Sequence, residues 1–164
     1  AVRRAAERRR GAIRIGYLAD SSLVARRIRP VRGRIVASPA YLATRGAPKS
    51  LDDLANHEVV SQISETWRIQ DGDSVRLFHP PARFRADNGQ SLVPAHLGGL
   101  GIGMLPDFLG DEHLASGRLV RVLEHLVLAE AAIWFVRPPG GQAPRSVRAL
   151  LELLLEHCGS ATPP

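Results

Sequence analysis

Cysteine is almost absent from this chain. Cys158 stands alone, which rules out an internal disulfide and fits a reducing cytoplasm. No apolar run approaches the roughly 18 residues that a membrane span requires. The opening "AVRRAAERRR" is charged but has no apolar stretch behind it, so it does not read as a secretory signal. Metal and redox motifs are missing too. No two of the six histidines stand at H-x-x-x-H spacing, and there is no Cys-x-x-Cys, so no metal and no cofactor is expected. Ser21, Ser22 and Ser38 lack the G-x-S-x-G elbow of a hydrolase. With no nucleophile–base pair and no metal constellation, an enzyme is not expected.

What is present in excess is positive charge, and its distribution decides its meaning. Residues 1–34 carry 11 of the 22 Lys and Arg against Glu7 and Asp20, a local charge of +9. The rest of the chain sets 11 basic against 14 acidic side chains, or −3. Basicity is therefore a property of the N-terminal segment and not of the folded bulk. Surfaces that track phosphates interleave charge with aromatics or a recognition helix, whereas the first 34 residues offer Tyr17 alone. Direct nucleic-acid binding is not expected.

The 164 residues suffice for one domain or two small lobes. "GAIRIGYL" predicts a strand ending at a turn, and "ADSSLVARRI" a loop returning to a short strand at Ile35–Ala37. "PAYLATR" predicts one or two helical turns, closed by Gly46. "SLDDLANH" predicts a helix capped by Ser50, with Leu51, Leu54 and Ala55 on its buried face. Short strands come next in "VVSQIS", "TWRIQ", "VRLFHPP" and "ARFRA", with a hairpin turn at residues 71–73. A helix starts near Asp87-Asn88-Gly89, with Pro94 tolerable only in its first turn. "GIGML" is then a buried strand, and "DFLGDEHLASG" a helix capped by Asp107. "RLVRVL" and "AAIWFVRP" add strands, and "PPGGQAP" reads as a linker. Last comes a helix, with Val147, Leu150, Leu151 and Leu154 as its apolar stripe. Alternation of strands and helices implies an α/β layout with some parallel sheet.

Five glycines in "ADNGQSLVPAHLGGLGIGMLP" pose a choice between a phosphate loop and packing. A dinucleotide fingerprint needs its glycines after a strand and before a helix. Here helix precedes and strand comes after, and no three of these glycines make G-x-G-x-x-G. The expectation is that Gly98 and Gly99 end a helix, and that the next strand packs close to a neighbour. His96, beside them, is expected to be a satisfied packing histidine. Asp87 or Asn88 is read first as an N-cap and second as a ligand contact.

Four stretches occur in a familiar order: "IRIGYLADSSLVARRI", "RIVASPAYLATRGAPKSLDDLANHEVV", "ADNGQSLVPAHLGGLGIGMLPDFLGDEHLASGRLVRVL" and "IWFVRPPGGQAPRSVRALLELLLEH". Together they resemble the C-terminal effector-binding (substrate-binding) domain of LysR-type transcriptional regulators, from about Ile13 to His157. The resemblance implies a type 2 periplasmic-binding-protein-like α/β fold, two Rossmann-like lobes around a cleft. It divides the chain into residues 1–39 (what remains of the first lobe, and a crossing strand), 40–132 (the second lobe) and 133–158 (return strand and C-terminal helix). Residues 159–164 are expected to be a disordered tail. The winged helix-turn-helix and the first strands of the first lobe have no counterpart, so that lobe is incomplete. Arg9, Arg10 and Gly11 stand where family members usually place an acidic or aromatic residue.

Carried over by position, the resemblance places Gly16, Tyr17, Leu18, Ala37, Ser38, Asp87, Asn88, Gly89, Ile102 and Gly103 at an effector site. Arg14, Arg26 and Arg27 hint at an anionic effector. The implied function is small-molecule sensing and dimerisation in transcription regulation, in the cytoplasm and away from membranes. DNA would be reached only through a helix-turn-helix domain absent from this chain. A stand-alone solute-binding protein and a small α/β enzyme are the alternatives.

Overall fold

The computed structural model describes residues 11–18, 22–63, 65–140 and 144–159. The expectations for "AVRRAAERRR" and for the tail beyond Gly159 lie outside these residues, as does the middle of the "PPGGQAP" linker. The chain divides into two units, Ala1–Val31 with Glu130–Pro164, and Arg32–Ala129. The boundaries expected at residues 39/40 and 132/133 are thus drawn earlier, after Val31 and after Ala129.

The first unit is built on an antiparallel sheet of β1 (Ala12–Gly16), β10 (Ala131–Arg137) and β2 (Val24–Val31), in the order β1-β10-β2. β2 corrects the loop expected over this stretch. Its sequence VARRIRPV shows no clean alternation, and only Ile28 and Val31 are buried. Pairing with the apolar β10, from Val31 opposite Ala131 to Val24 opposite Arg137, makes it a strand. The terminal helix α4 (Arg145–Gly159) packs on β2, and Pro144 O accepts the first N–H bonds from Val147 and Arg148. Leu150, expected on the buried stripe, is 48% exposed, and Leu153 stands out beside it. Cys158 is half-buried.

The second unit holds a sheet with apolar layers on both faces. β3 (Gly33–Ala37) lies between β8 (Gly103–Pro106) and the short β9 (Val120–Arg121). β4 (Val60–Gln62) pairs in parallel with β7 (Phe84–Ala86). Alternation along the strands divides the core. Ile35, Ala37, Val59 and Ile102 join one cluster with Tyr41, Leu54 and Trp67, while Val36, Val60 and Leu105 join the other with Leu92 and Ala95. The first cluster is covered by α1 (Pro39–Arg45), the 3-10 turn Asp52–Asn56 and the β5 (Trp67–Asp71)–β6 (Ser74–Phe78) hairpin; the second is covered by α2 (Gly89–Leu97). Each fully buried side chain of this size contributes roughly 1.5–3 kcal/mol.

Local chemistry explains the element ends. The β5–β6 turn uses Gly72 at φ 58°, and α1 ends at Gly46 at φ 76°. Ser50 and Asp53 form the expected reciprocal box: Asp53 N donates to Ser50 Oγ, and the Asp53 carboxylate accepts from Lys49 N and Ser50 N. Those backbone donors hold the Asp53 carboxyl below its ordinary range. The segment that this box opens is one 3-10 turn and not the expected α-helix, and Ala55 is exposed. Pro94 lies inside α2 and not in its first turn, on the exposed side. Asp107 is the first residue of α3 (Asp107–Ala115), whose N-cap is Pro106.

Candidate functional site

Strand direction sorts the expected site residues of the second unit into two groups. β4 and β7 run parallel, and the parallel bridge between Val59 and Ile102 gives β8 the same sense. β3 runs against them, with Val36 opposite Gly103 and Gly33 opposite Pro106. Ala37, Ser38, Ile102 and Gly103 therefore lie at the amino ends of the parallel strands. Asp87, Asn88 and Gly89 lie at the carboxyl ends.

The amino-end group is occupied with structure. Ser38 is the N-cap of α1, its Oγ accepting from Tyr41 N at 3.2 Å. Ala37 and Ile102 are wholly buried in the core. A methyl group on Gly103 would strike Val60 O and the His96 ring, and one on Gly101 would strike the Glu58 carbonyl. Gly99, at φ 74°, turns the chain out of α2. Four of the five glycines, Gly98, Gly99, Gly101 and Gly103, thus serve a helix end and a close strand approach, while Gly89 opens α2. His96 is fully buried; its Nδ1–H donates to Gly101 O at 3.3 Å, but Nε2 has no hydrogen-bond partner among the described residues. This corrects the expectation of a satisfied histidine. Burial holds its pKa below the ordinary value.

The carboxyl-end group is polar and better placed for a ligand. Asn88 caps α2, its Oδ1 accepting from Ser91 N at 2.9 Å while its Nδ2 donates to Asp87 Oδ1 at 2.8 Å. Gly89 opens the helix beside the Gln62 carboxamide, whose Nε2 lies 3.4 Å from where a Cβ on Gly89 would stand. At the end of β8, the buried Asp107 accepts from Phe108 N at 2.8 Å and from Arg32 N at 3.3 Å. Behind Gln62, the Glu65 carboxylate accepts from Gln62 N at 2.8 Å, Ser61 Oγ at 2.9 Å and Trp67 Nε1 at 3.1 Å. Desolvation pushes its pKa up, and the three hydrogen bonds oppose that shift. Gln62 and Glu65 were not singled out by the sequence reading. Their place depends on which way each strand runs, and pattern alone does not give it.

The remaining expected residues belong to the first unit. Gly16 ends β1 at φ 136°, and its carbonyl accepts from Trp134 Nε1 at 3.0 Å. Tyr17 and Leu18 come next and are exposed. Arg27 is paired with Glu130, so it is not a free cation, whereas Arg14 and Arg26 are exposed strand residues. Among the described residues no group of histidine, cysteine and carboxylate side chains is arranged to hold a metal. No described helix is long and apolar enough to cross a membrane.

The family model described as the LysR substrate binding domain matches residues 9–159. The chain belongs to that family. Its curated relatives are transcriptional regulators, not enzymes. CrgA of Neisseria meningitidis serogroup C (strain 8013) is 38% identical over 116 residues, which are 68% of this chain and 38% of CrgA. PtxR of Pseudomonas aeruginosa is 34% identical over 154 residues, 90% of this chain and 49% of PtxR. The LysR domain here thus spans half or less of these relatives. Among solved structures, CrgA from Neisseria meningitidis superposes with a TM-score of 0.78 at 32% identity, covering 92% of this chain and 52% of that one. The CrgA regulatory domain alone gives 0.75 at 32% identity, covering 90% of this chain and 74% of that domain. The fold is therefore that of LysR regulatory domains, α/β and periplasmic-binding-protein-like, and the chain is the effector-binding part of such a regulator.

Proposed function

We propose that this LysR domain senses a small anionic molecule at the carboxyl ends of β4, β7 and β8. The observation that carries the reading is the start of α2 at Gly89, beside the Gln62 carboxamide, at that end of the sheet. In open α/β sheets, ligands bind beyond the carboxyl ends of the strands. The free N–H groups at the start of α2 favour negative charge there. Gln62 supplies a carboxamide able to donate and accept. Of the other expected residues, Gly16, Tyr17 and Leu18 remain candidates on the first unit. Ala37, Ser38, Ile102 and Gly103 support the effector site only through the fold. The bound domain works as a homo-oligomer in the cytoplasm and reaches DNA through a helix-turn-helix carried elsewhere. Signal transfer is by differential binding, since an effector shifts a regulator only as far as it prefers one state.

The test is a thermal melt alone and with pools of small carboxylates, aromatic acids and sugar acids. One acid pool is expected to raise the midpoint by several degrees. A response to neutral sugars or to cations, with none to acids, would reject the anionic reading.

A further inference from the structure

Where β4 and β8 part, the sheet leaves a backbone donor over. Val60 N donates to Ile102 O of β8 at 2.8 Å, and two residues on, the Gln62 N–H faces the same side of β4. Among the described residues the two strands are bridged only at Val59 and Ile102, so β8 does not take that donor. Glu65 takes it instead. Its Oε2 accepts from Gln62 N at 2.8 Å, and its own N–H donates to Gln62 O at 3.3 Å. Both backbone groups of Gln62 are thus tied to one residue. The same carboxylate is anchored from the interior. Ser61 Oγ donates to Oε2 at 2.9 Å and Trp67 Nε1 to Oε1 at 3.1 Å. Ser61 and Trp67 are both fully buried, and the indole packs on Phe78 with ring centroids 5.6 Å apart.

We propose that Glu65 is the positioning residue of the effector site, fixing Gln62 so that its carboxamide stands beside the start of α2. This role rests on the reading that the effector meets Gln62 and Gly89; Glu65 itself touches no effector and acts through Gln62. A carboxylate suits the place because it offers acceptors alone, and three donors converge on it. A carboxamide of the same shape carries an NH2 on one side. In Glu65→Gln that group sets donor against donor, either at Trp67 Nε1 or at Gln62 N. Leaving a buried donor unsatisfied costs more than one hydrogen bond contributes, so the variant releases the tether. Desolvation raises the Glu65 pKa, while the three donors and the charge of Arg85, on β7 opposite Ser61, oppose the rise.

The experiment uses the full chain and NMR, first with no acid added and no variant needed. As pH is lowered from 7.5 to 4.5, the Gln62 amide and the Trp67 indole N–H are expected to shift together, with one midpoint above 4.5, since both report the Glu65 carboxylate. A Gln62 amide that stays still while the indole moves overturns the proposal. The Gln62 carboxamide protons should also show a nuclear Overhauser contact to Gly89 Hα. Glu65→Gln is expected to lose that contact with its circular dichroism unchanged, and a contact kept at full strength overturns the proposal too. Binding is then read with benzoate, citrate and gluconate as probes. Any of them that shifts the Gly89 amide of the parent should bind Glu65→Gln about tenfold more weakly, and Ser38→Ala as the parent does. Equal weakening in both variants points to lost stability and overturns the positioning role. If none of the three moves Gly89 or Gln62, the effector reading fails for these acids, and the tether is decided by the two measurements made without them.

Discussion

At the scale of single residues, the molecule separates positions that are tight from positions that are merely turned. Gly103 lies against the Val60 carbonyl and the buried His96 ring, neither of which is the loose end of a flexible side chain. Gly103→Ala is expected to cost about 1–3 kcal/mol through overpacking, measured by urea denaturation. Gly117→Ala meets nothing within 4 Å but sits at φ 71°. It should cost only the left-handed strain of about 1 kcal/mol. Equal losses would refute the packing account. His96 gives a pH signature. Its folded pKa lies below the ordinary 6.5 because burial penalises the charged ring, so the unfolded state binds more protons. Stability is then complete above about pH 6.5 and falls as pH drops from there toward the folded value. Glu65 works in the opposite sense. Its folded pKa is raised above 4.5, so the folded state takes up its proton first and stability is gained as pH falls toward 4.5. Comparing His96→Gln with the parent in denaturant titrations from pH 7.5 to 5.5 isolates the histidine. The variant should show a flatter fall, and an unchanged slope would mean that the buried ring is not the source.

At the scale of elements, the sequence makes legible whatever alternation or capping residues can specify. β1, β3, the β5–β6 hairpin with Gly72 and the apolar β10 all arise from their own residues. β2 does not, because four of its eight residues are arginine or proline and its pairing comes from β10. The turn Asp52–Asn56 stays a five-residue 3-10 turn even though the Ser50–Asp53 box satisfies the donors at its start. The candidate site was half legible: Asp87-Asn88-Gly89 marks a helix start in any reading. Gln62 was invisible, because finding it requires knowing that β4 and β7 run the same way. The two ends of the sheet should come apart under mutation. Ser38→Ala removes the α1 cap and is expected to cost about 1 kcal/mol of stability with ligand affinity unchanged. Gln62→Ala should shift stability by less than about 0.5 kcal/mol and weaken the acid that stabilises the domain by about tenfold. Isothermal titration beside denaturation distinguishes them. Affinity lost in Ser38→Ala and kept in Gln62→Ala would place the ligand at the wrong end.

At the scale of the whole molecule, a chain that covers 74% of the CrgA regulatory domain holds the β8-β3-β9 and β4-β7 strands in the unit Arg32–Ala129. The effector is proposed to meet the carboxyl ends of β4, β7 and β8. The most direct measurement is amide NMR of the chain, titrated with the carboxylate that raises its melting point most. Shifts are expected to centre on Gln62, Asn88, Gly89, Asp107 and Phe108, with Ala37, Ser38, Gly99 and Gly103 still. Shifts centred on Ser38 and the glycines after α2, with Gln62 and Gly89 unmoved, would contradict it.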